Sequence, residues 1–162
     1  MNSHFLQIFI ILVFIIDGCG VYTFNPKGKS SIKTIAVERF ENQTSEYGLE
    51  DQMTDQVIDA LIADGSLKIA APENTDAVLS GQLTNYERKP YEYDENDLVQ
   101  SYSVYMYFDI TLKNPVNDST IWKEKMNQIG IYDINTETEI DGQQRAIALL
   151  IEAIINKTTK SW

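Results

Sequence analysis

The feature that most constrains the fold is the stretch from Leu98 to Lys113, in which apolar and polar side chains alternate. Every second position is apolar, which is the repeat of a β-strand with one buried face. The intervening positions are mostly polar, with Tyr105 and Tyr107 as exceptions. Such a strand needs strand neighbours and a layer over its apolar face, so the chain must build a sheet. The apolar positions are Tyr102, Val104, Met106, Phe108, Ile110 and Leu112.

Other segments with the same alternation flank this strand in the sequence. The acidic stretch 92–97 is predicted as a hairpin turn, and Asn114–Asp118 as a second turn. In the strand before the hairpin, the alternation puts Leu79 and Leu83 on one face and Tyr86 on the other. The further predicted strands are Ile32–Phe40, Leu67–Ile69, Asp76–Pro90 and Thr120–Tyr132.

Two segments show helical periodicity instead. Gly48–Asp64 has apolar residues every fourth position, and Gly65 follows as a C-terminal cap. Gln143–Lys157 carries a second apolar stripe. The stripe residues are Leu49, Met53, Val57 and Leu61 in the first helix, and Ile147, Leu150, Ile151, Ile154 and Ile155 in the second.

This order of elements predicts an α+β fold, a two-layer sandwich. A mostly antiparallel sheet of four to five strands would have both helices packed on one face. The other face would carry Tyr86, Tyr105 and Tyr107, which we interpret as a candidate partner surface. The alternative is that these tyrosines are ordinary strand residues, since tyrosine favours strands.

The N-terminus has the pattern of a lipoprotein signal. The apolar run Phe5–Ile16 is too short to span a bilayer as a helix, and it ends just before Cys19, the only cysteine. We therefore predict a signal peptide over 1–18, a tether over 19–31 and a single domain over 32–162. Cys19 would carry a diacylglycerol group and an N-acyl chain, which together hold a domain at a membrane. The alternatives are an ordinary secretory signal or an uncleaved anchor.

Composition argues against catalysis and nucleic-acid binding. The chain has 24 acidic and 13 basic residues, a net charge of −11, which repels polyanions. Its one histidine, His4, lies in the predicted signal peptide. A mature chain without histidine or free thiol lacks a Ser-His-Asp triad, a cysteine nucleophile and an imidazole or thiolate metal site. We expect no enzyme activity, no metal and no cofactor beyond the acyl chains. The alternative is an enzyme that uses carboxylates alone.

Several stretches, taken in order, resemble the lipopolysaccharide-assembly lipoprotein family LptE, and most closely its Bacteroidetes-like branch. Each stretch alone is unspecific, and their joint order and spacing carry the resemblance. They are Cys19–Phe24, Ile35–Asn42, Gly48–Thr54, Ala77–Gly81, Tyr86–Pro90 and Ile121–Glu124.

The resemblance implies a palmitate-bearing outer-membrane lipoprotein on the periplasmic side. It would plug an LptD-like β-barrel translocon, assist outer-membrane assembly and take part in lipopolysaccharide transport. Family members are expected to contact lipopolysaccharide through basic residues at the end of the sheet. The candidates here are Arg88, Lys89, Lys123 and Lys125, which would act as a cluster of cations on lipid phosphates. The alternative function is a periplasm-facing envelope binding module, curli-secretion-like or peptidoglycan-associated.

Overall fold

The computed structural model describes residues 32–160. The predicted signal peptide, Cys19 and the tether lie outside the described residues, as do the last two residues. The strands are β1 Thr34–Val37, β2 Glu41–Asn42, β3 Lys68–Ile69, β4 Ala77–Tyr93, β5 Val99–Lys113 and β6 Thr120–Asp133. The helices are α1 Leu49–Asp64, between β2 and β3, and α2 Glu139–Lys160, after β6.

The strands form one mixed sheet in the order β3-β1-β4-β5-β6, with β2 also paired to β4. The long strands β4, β5 and β6 form the predicted antiparallel meander. β1 instead runs parallel to both β3 and β4, and β2 runs parallel to β4. Helix α1 returns the chain between β2 and β3, and such a crossover makes neighbouring strands parallel.

Both helices pack on the same face of the sheet, which confirms the two-layer α+β prediction. The alternate residues of β5 from Val104 to Leu112 are fully buried. One continuous core joins them to both apolar stripes, so the sheet and the helices bury each other's apolar faces. The helix residues in this core are Leu49, Met53, Val57, Leu61, Ala146, Ile147, Leu150 and Ile154.

The segment after β1 continues along β4 instead of turning away. Glu41 and Asn42 pair with Gln82 and Leu83, so pairing with β4 extends beyond Phe40, where the predicted strand ends. The ring of Phe40 fills the space above Gly81, where a Cβ would lie 2.1 Å from the ring. The absence of a side chain on β4 therefore lets an aromatic ring complete the core.

Helix α2 begins at Glu139, earlier than the apolar stripe predicted. The Asp141 carboxylate accepts hydrogen bonds from the backbone N–H and hydroxyl of Thr138, a capping arrangement that starts the helix there. Gly142 then lies against the backbone of β6, where a Cβ on Gly130 would be 1.7 Å from the Gly142 carbonyl oxygen. The two glycines thus let helix and strand backbones touch.

The loop between β6 and α2 is held by an ion pair. Arg145 on α2 donates to the Glu137 carboxylate and to the Ile131 carbonyl on β6. The hydrogen bond from Arg145 to Glu137, together with one from the Asp133 backbone N–H, lowers the pKa of Glu137 to about 2. The loop is therefore tied to both elements that it joins.

A β-bulge in β4 changes which side chains face the helices. The pairing with β5 shifts between Leu83 and Asn85, so that Tyr86 lies opposite Met106 on the helix-covered face. The prediction that Tyr86 shares a face with Tyr105 and Tyr107 is wrong. An inserted residue reverses the alternation beyond it, and the sequence alternation assumed an uninterrupted strand.

Candidate functional site

The second face of the sheet has no covering layer among residues 32–160, because both helices lie on the first. We call it the open face. Tyr105 lies half-buried near its centre, between Glu87 on β4 and Ile129 on β6. Ile129 is 40% exposed, so an aliphatic and an aromatic side chain meet on this surface. The open face thus offers apolar contact area within polar surroundings.

Tyr107, two residues along β5, lines an open groove of about 380 Å³ on the same face. Lys125 on β6 lies directly opposite Asp109 on β5 in this groove. Opposite charges at facing strand positions attract each other moderately. The other lining residues are Thr84, Asn85, Phe108, Met126 and Asn127.

A second groove, of about 250 Å³, lies beside the β2 end of the open face. Lys123 and Arg39 contribute its positive charges, and Lys123 lies opposite Thr111 on β5. Neither Lys123 nor Lys125 forms a salt bridge within the described part of the chain. The remaining lining residues are Glu38, Glu41, Ser80, Gly81, Gln82 and Asp109.

Lys89 lies on the open face nearer the β4–β5 hairpin, opposite Ser103. Its ammonium group pairs with the Glu87 carboxylate and lies 5.1 Å from the centre of the Tyr105 ring. The hydrogen bond to Glu87 raises the pKa of Lys89, and the same bond lowers the pKa of Glu87. The charge of Lys89 is therefore balanced locally.

Arg88 points to the opposite side, the helix-covered one. Its Nε donates to the Tyr132 hydroxyl, and its guanidinium carbon lies 3.7 Å from the centre of the Tyr102 ring. Its Nε is also 3.5 Å from the Glu139 carboxylate at the start of α2. An aromatic ring, a hydroxyl and a carboxylate thus fix this arginine where β4, β5, β6 and α2 meet.

Tyr86 is part of the same junction. Its hydroxyl donates to Glu139 and accepts a hydrogen bond from Gln143, both on α2. Burial and the neighbouring Glu139 carboxylate raise the pKa of Tyr86 above its ordinary value of 10.0. Tyr86 therefore orients the start of α2, and the tyrosine surface of the open face consists of Tyr105 and Tyr107.

The four predicted cations do not form one cluster, and that prediction is wrong. Arg88 and Lys89 are consecutive in a strand, so they face opposite sides of the sheet. Lys123 and Lys125 lie on β6, which β5 separates from β4. On β5, Lys89 lies opposite Ser103 and Lys125 lies opposite Asp109. At the rise of a strand, Ser103 and Asp109 are about 20 Å apart.

Sequence reasoning missed the part that Tyr102, Tyr132 and Glu139 play in holding Arg88. Tyr102 was predicted only as a core residue of β5, and Glu139 was outside the predicted helix. Their meeting depends on the bulge in β4 and on the earlier start of α2. One sequence signal pointed to this junction. The alternation in β5 and β6 puts Tyr102 and Tyr132 on the same, helix-covered face.

Within residues 32–160, no three histidine, cysteine, aspartate or glutamate side chains lie together so that they could hold a metal ion. Within the same residues, neither helix is long and apolar enough to cross a membrane.

Comparison with known proteins gives a family match and a fold match. The family model described as "LptE: Lipopolysaccharide-assembly" matches residues 32–158. No curated protein matches the chain significantly.

Among solved structures, the hypothetical protein CT253 from Chlamydia trachomatis has a TM-score of 0.58 at 8% identity, covering 78% of this chain and 97% of its own. Protein XCC0632 from Xanthomonas campestris has a TM-score of 0.55 at 12% identity, covering 83% and 88%. The PelC dodecamer from Paraburkholderia phytofirmans has a TM-score of 0.52 at 18% identity, covering 78% and 89%. At these identities the likeness concerns the fold alone.

Proposed function

The chain belongs to the lipopolysaccharide-assembly family LptE, and from this membership we propose that it is an outer-membrane lipoprotein that partners and plugs an LptD-like β-barrel translocon. The observation that carries the proposal is the family match over residues 32–158, which takes in nearly all of the described fold. The role is one of binding and assembly, without a catalytic step. Its anchor would be acylated Cys19, on the periplasmic side of the outer membrane.

The open face is the surface that we assign to the barrel. Tyr105, Tyr107 and Ile129 provide apolar and aromatic area, and the residues around them provide hydrogen-bonding groups. Tyrosine is enriched in protein interfaces because its ring buries apolar area while its hydroxyl stays bonded. A sheet face of this composition suits a polar protein wall better than a lipid chain.

Lipopolysaccharide carries phosphates, and the same face presents two lysines that could bind them. Lys123 and Lys125 lie outside salt bridges within residues 32–160, whereas Arg88 and Lys89 are each bound to a carboxylate. An ammonium group that already pairs with a carboxylate gains less from a phosphate. We therefore place the lipopolysaccharide contact at Lys123 and Lys125.

Co-purification from native membranes tests the barrel contact. We expect the full-length, lipidated protein to recover one large outer-membrane β-barrel protein in stoichiometric amount. The double variant Tyr105→Ala/Tyr107→Ala should lower this recovery about tenfold or more, since buried aromatic side chains dominate interface energy.

The matched control is Tyr47→Ala/Ile62→Ala, which removes two exposed apolar side chains away from the open face and should leave recovery unchanged. If the wild-type protein never recovers a barrel, the proposed function is contradicted. If the stably folded Tyr105→Ala/Tyr107→Ala variant recovers the barrel as well as wild type does, the barrel contact lies on a surface other than the open face.

The alternative drawn from the sequence is a periplasm-facing envelope binding module that works without a barrel. Under this alternative, the chain is curli-secretion-like or an accessory to peptidoglycan. The same purification separates the two functions, because the alternative predicts copies of the chain or other periplasmic components in place of a barrel.

A further inference from the structure

The tip of the β4–β5 hairpin exposes three large apolar side chains. We use "hairpin tip" for residues Tyr91–Leu98, which close the hairpin. Tyr91 is 51%, Tyr93 57% and Leu98 62% exposed. Single exposed apolar residues are ordinary in soluble proteins, but three within eight residues concentrate exposed apolar area at this end of the sheet.

The hairpin tip has a defined conformation. The Asp94 carboxylate accepts hydrogen bonds from the backbone N–H groups of Asn96 and Leu98. The Asp94 backbone N–H donates to the Leu98 carbonyl, and the Asp97 N–H donates to the Asp94 carbonyl. A surface held in this way loses little conformational freedom when it binds a partner, which favours affinity.

The charge of the hairpin tip is entirely negative. It contains Glu92, Asp94, Glu95 and Asp97 and no lysine or arginine. Within residues 32–160, none of these four carboxylates is in a salt bridge. The nearest lysine in sequence, Lys89, is already paired with Glu87. The field at the tip therefore attracts cations and repels lipid phosphates.

We propose that the hairpin tip docks a protein segment in which lysine or arginine side chains flank apolar ones. The apolar side chains of such a segment would pack on Tyr91, Tyr93 and Leu98. Its cations would meet the carboxylates and the tyrosine ring faces, which also attract cations. An anionic lipid matches the apolar groups but not the charge.

The position of the hairpin tip makes this contact separate from the open-face lysines and from β1, the first described strand. Ile35 on β1 pairs with Ala77 at the start of β4, so the described chain begins near that end of the sheet. β4 runs from Ala77 to Tyr93, which is about 50 Å at the rise of a strand. The tip thus binds its partner at the far end of the molecule, whether or not the open face holds a barrel.

Photo-crosslinking tests the proposal in the full-length protein in its native membranes. A photoreactive p-benzoylphenylalanine replaces Tyr93, and mass spectrometry identifies the crosslinked residues. We expect a protein adduct that maps to a segment rich in lysine and arginine. Glu92→Gln/Glu95→Gln/Asp97→Asn in the same chain should reduce the adduct roughly fivefold, because the complementary charge is removed. Asp94 is kept because its carboxylate holds the turn.

The control variant Asp55→Asn/Asp59→Asn/Glu152→Gln removes three exposed carboxylates from the helices and should leave the adduct unchanged. A lipid adduct, a neutral or acidic crosslinked segment, or equal loss in both variants would overturn the proposal. So would the absence of any protein adduct at position 93 when the same probe at position 105 forms one. The test reads the chemistry of the crosslinked segment. The hairpin-tip proposal can therefore fail while the proposed barrel contact holds, and the reverse.

Discussion

At the scale of single residues, the surroundings of a basic side chain decide what it can bind. Arg88 is held by a tyrosine ring, a hydroxyl and Glu139, and Lys89 pairs with Glu87. Lys123 and Lys125 line two grooves of the open face and form no salt bridge within residues 32–160. Arg88 and Lys89 therefore bind partners within the fold, whereas Lys123 and Lys125 are available to a ligand.

This difference predicts unequal effects on lipopolysaccharide binding. Lys123→Gln/Lys125→Gln should weaken binding of purified protein to phosphorylated lipopolysaccharide about tenfold, because two charge-assisted contacts are lost. Arg88→Gln/Lys89→Gln should change it less than about twofold. Titration with phosphorylated and dephosphorylated lipopolysaccharide measures both variants, and the dephosphorylated form should not distinguish them. Equal weakening by the two variants would contradict the assignment to β6.

At the scale of elements, the contact between β6 and α2 rests on the glycine pair Gly130 and Gly142. Both positions face a backbone or ring with no space for a methyl group. Because the same helix carries Glu139 and Gln143, this close approach also sets where the Tyr86 and Arg88 contacts form. A small displacement of α2 would therefore disturb that junction.

Gly130→Ala should lower the free energy of unfolding by about 3 kcal/mol or more, since the added Cβ meets the Gly142 carbonyl and the helix must shift. Gln144→Ala, on the exposed side of α2, is the control and should change it by less than about 0.5 kcal/mol. Denaturant unfolding measures both. A Gly130→Ala protein as stable as wild type would show that α2 moves away at no cost.

The sequence predicts an element well when the residue pattern that forms it lies within that element. The apolar stripe of α1 and the alternation of β5 each lie within one element, and both predictions are confirmed. The bulge in β4 arises from pairing with β5, so the alternation alone could not show that Tyr86 changes face. The early start of α2 depends on Thr138 and Asp141, whose capping contact precedes the apolar stripe.

At the scale of the whole molecule, the two proposed contact surfaces lie at different places on one sheet. The open face carries the tyrosines and the lysines, and the hairpin tip lies at the far end of β4. β1, where the described chain begins, pairs with the opposite end of β4. The charge pattern of the sequence could not reveal this arrangement, because it depends on which strands are neighbours: a cluster was predicted from residues that β5 keeps apart.

Removal of the predicted lipid anchor should release the whole molecule from the membrane. Cys19→Ala in the full-length chain should move the protein from the membrane fraction to the soluble fraction and abolish incorporation of labelled palmitate, since several acyl chains on one residue make attachment nearly permanent. Val21→Ala, two residues further, should keep both properties. A Cys19→Ala protein that stays processed and membrane-bound would contradict acylation at this residue.

The parallel pairing of β1 with β4 has a mechanical consequence. A membrane tether would pull on the start of β1, whereas a partner at the hairpin tip would pull on the far end of β4. The two strands point the same way, so opposed forces at these ends slide β1 along β4 and load their shared backbone hydrogen bonds together. The pairs Ile35–Ala77, Ala36–Val78 and Val37–Leu79 would share that load. We therefore expect the first rupture under tension between β1 and β4, while the antiparallel meander stays folded.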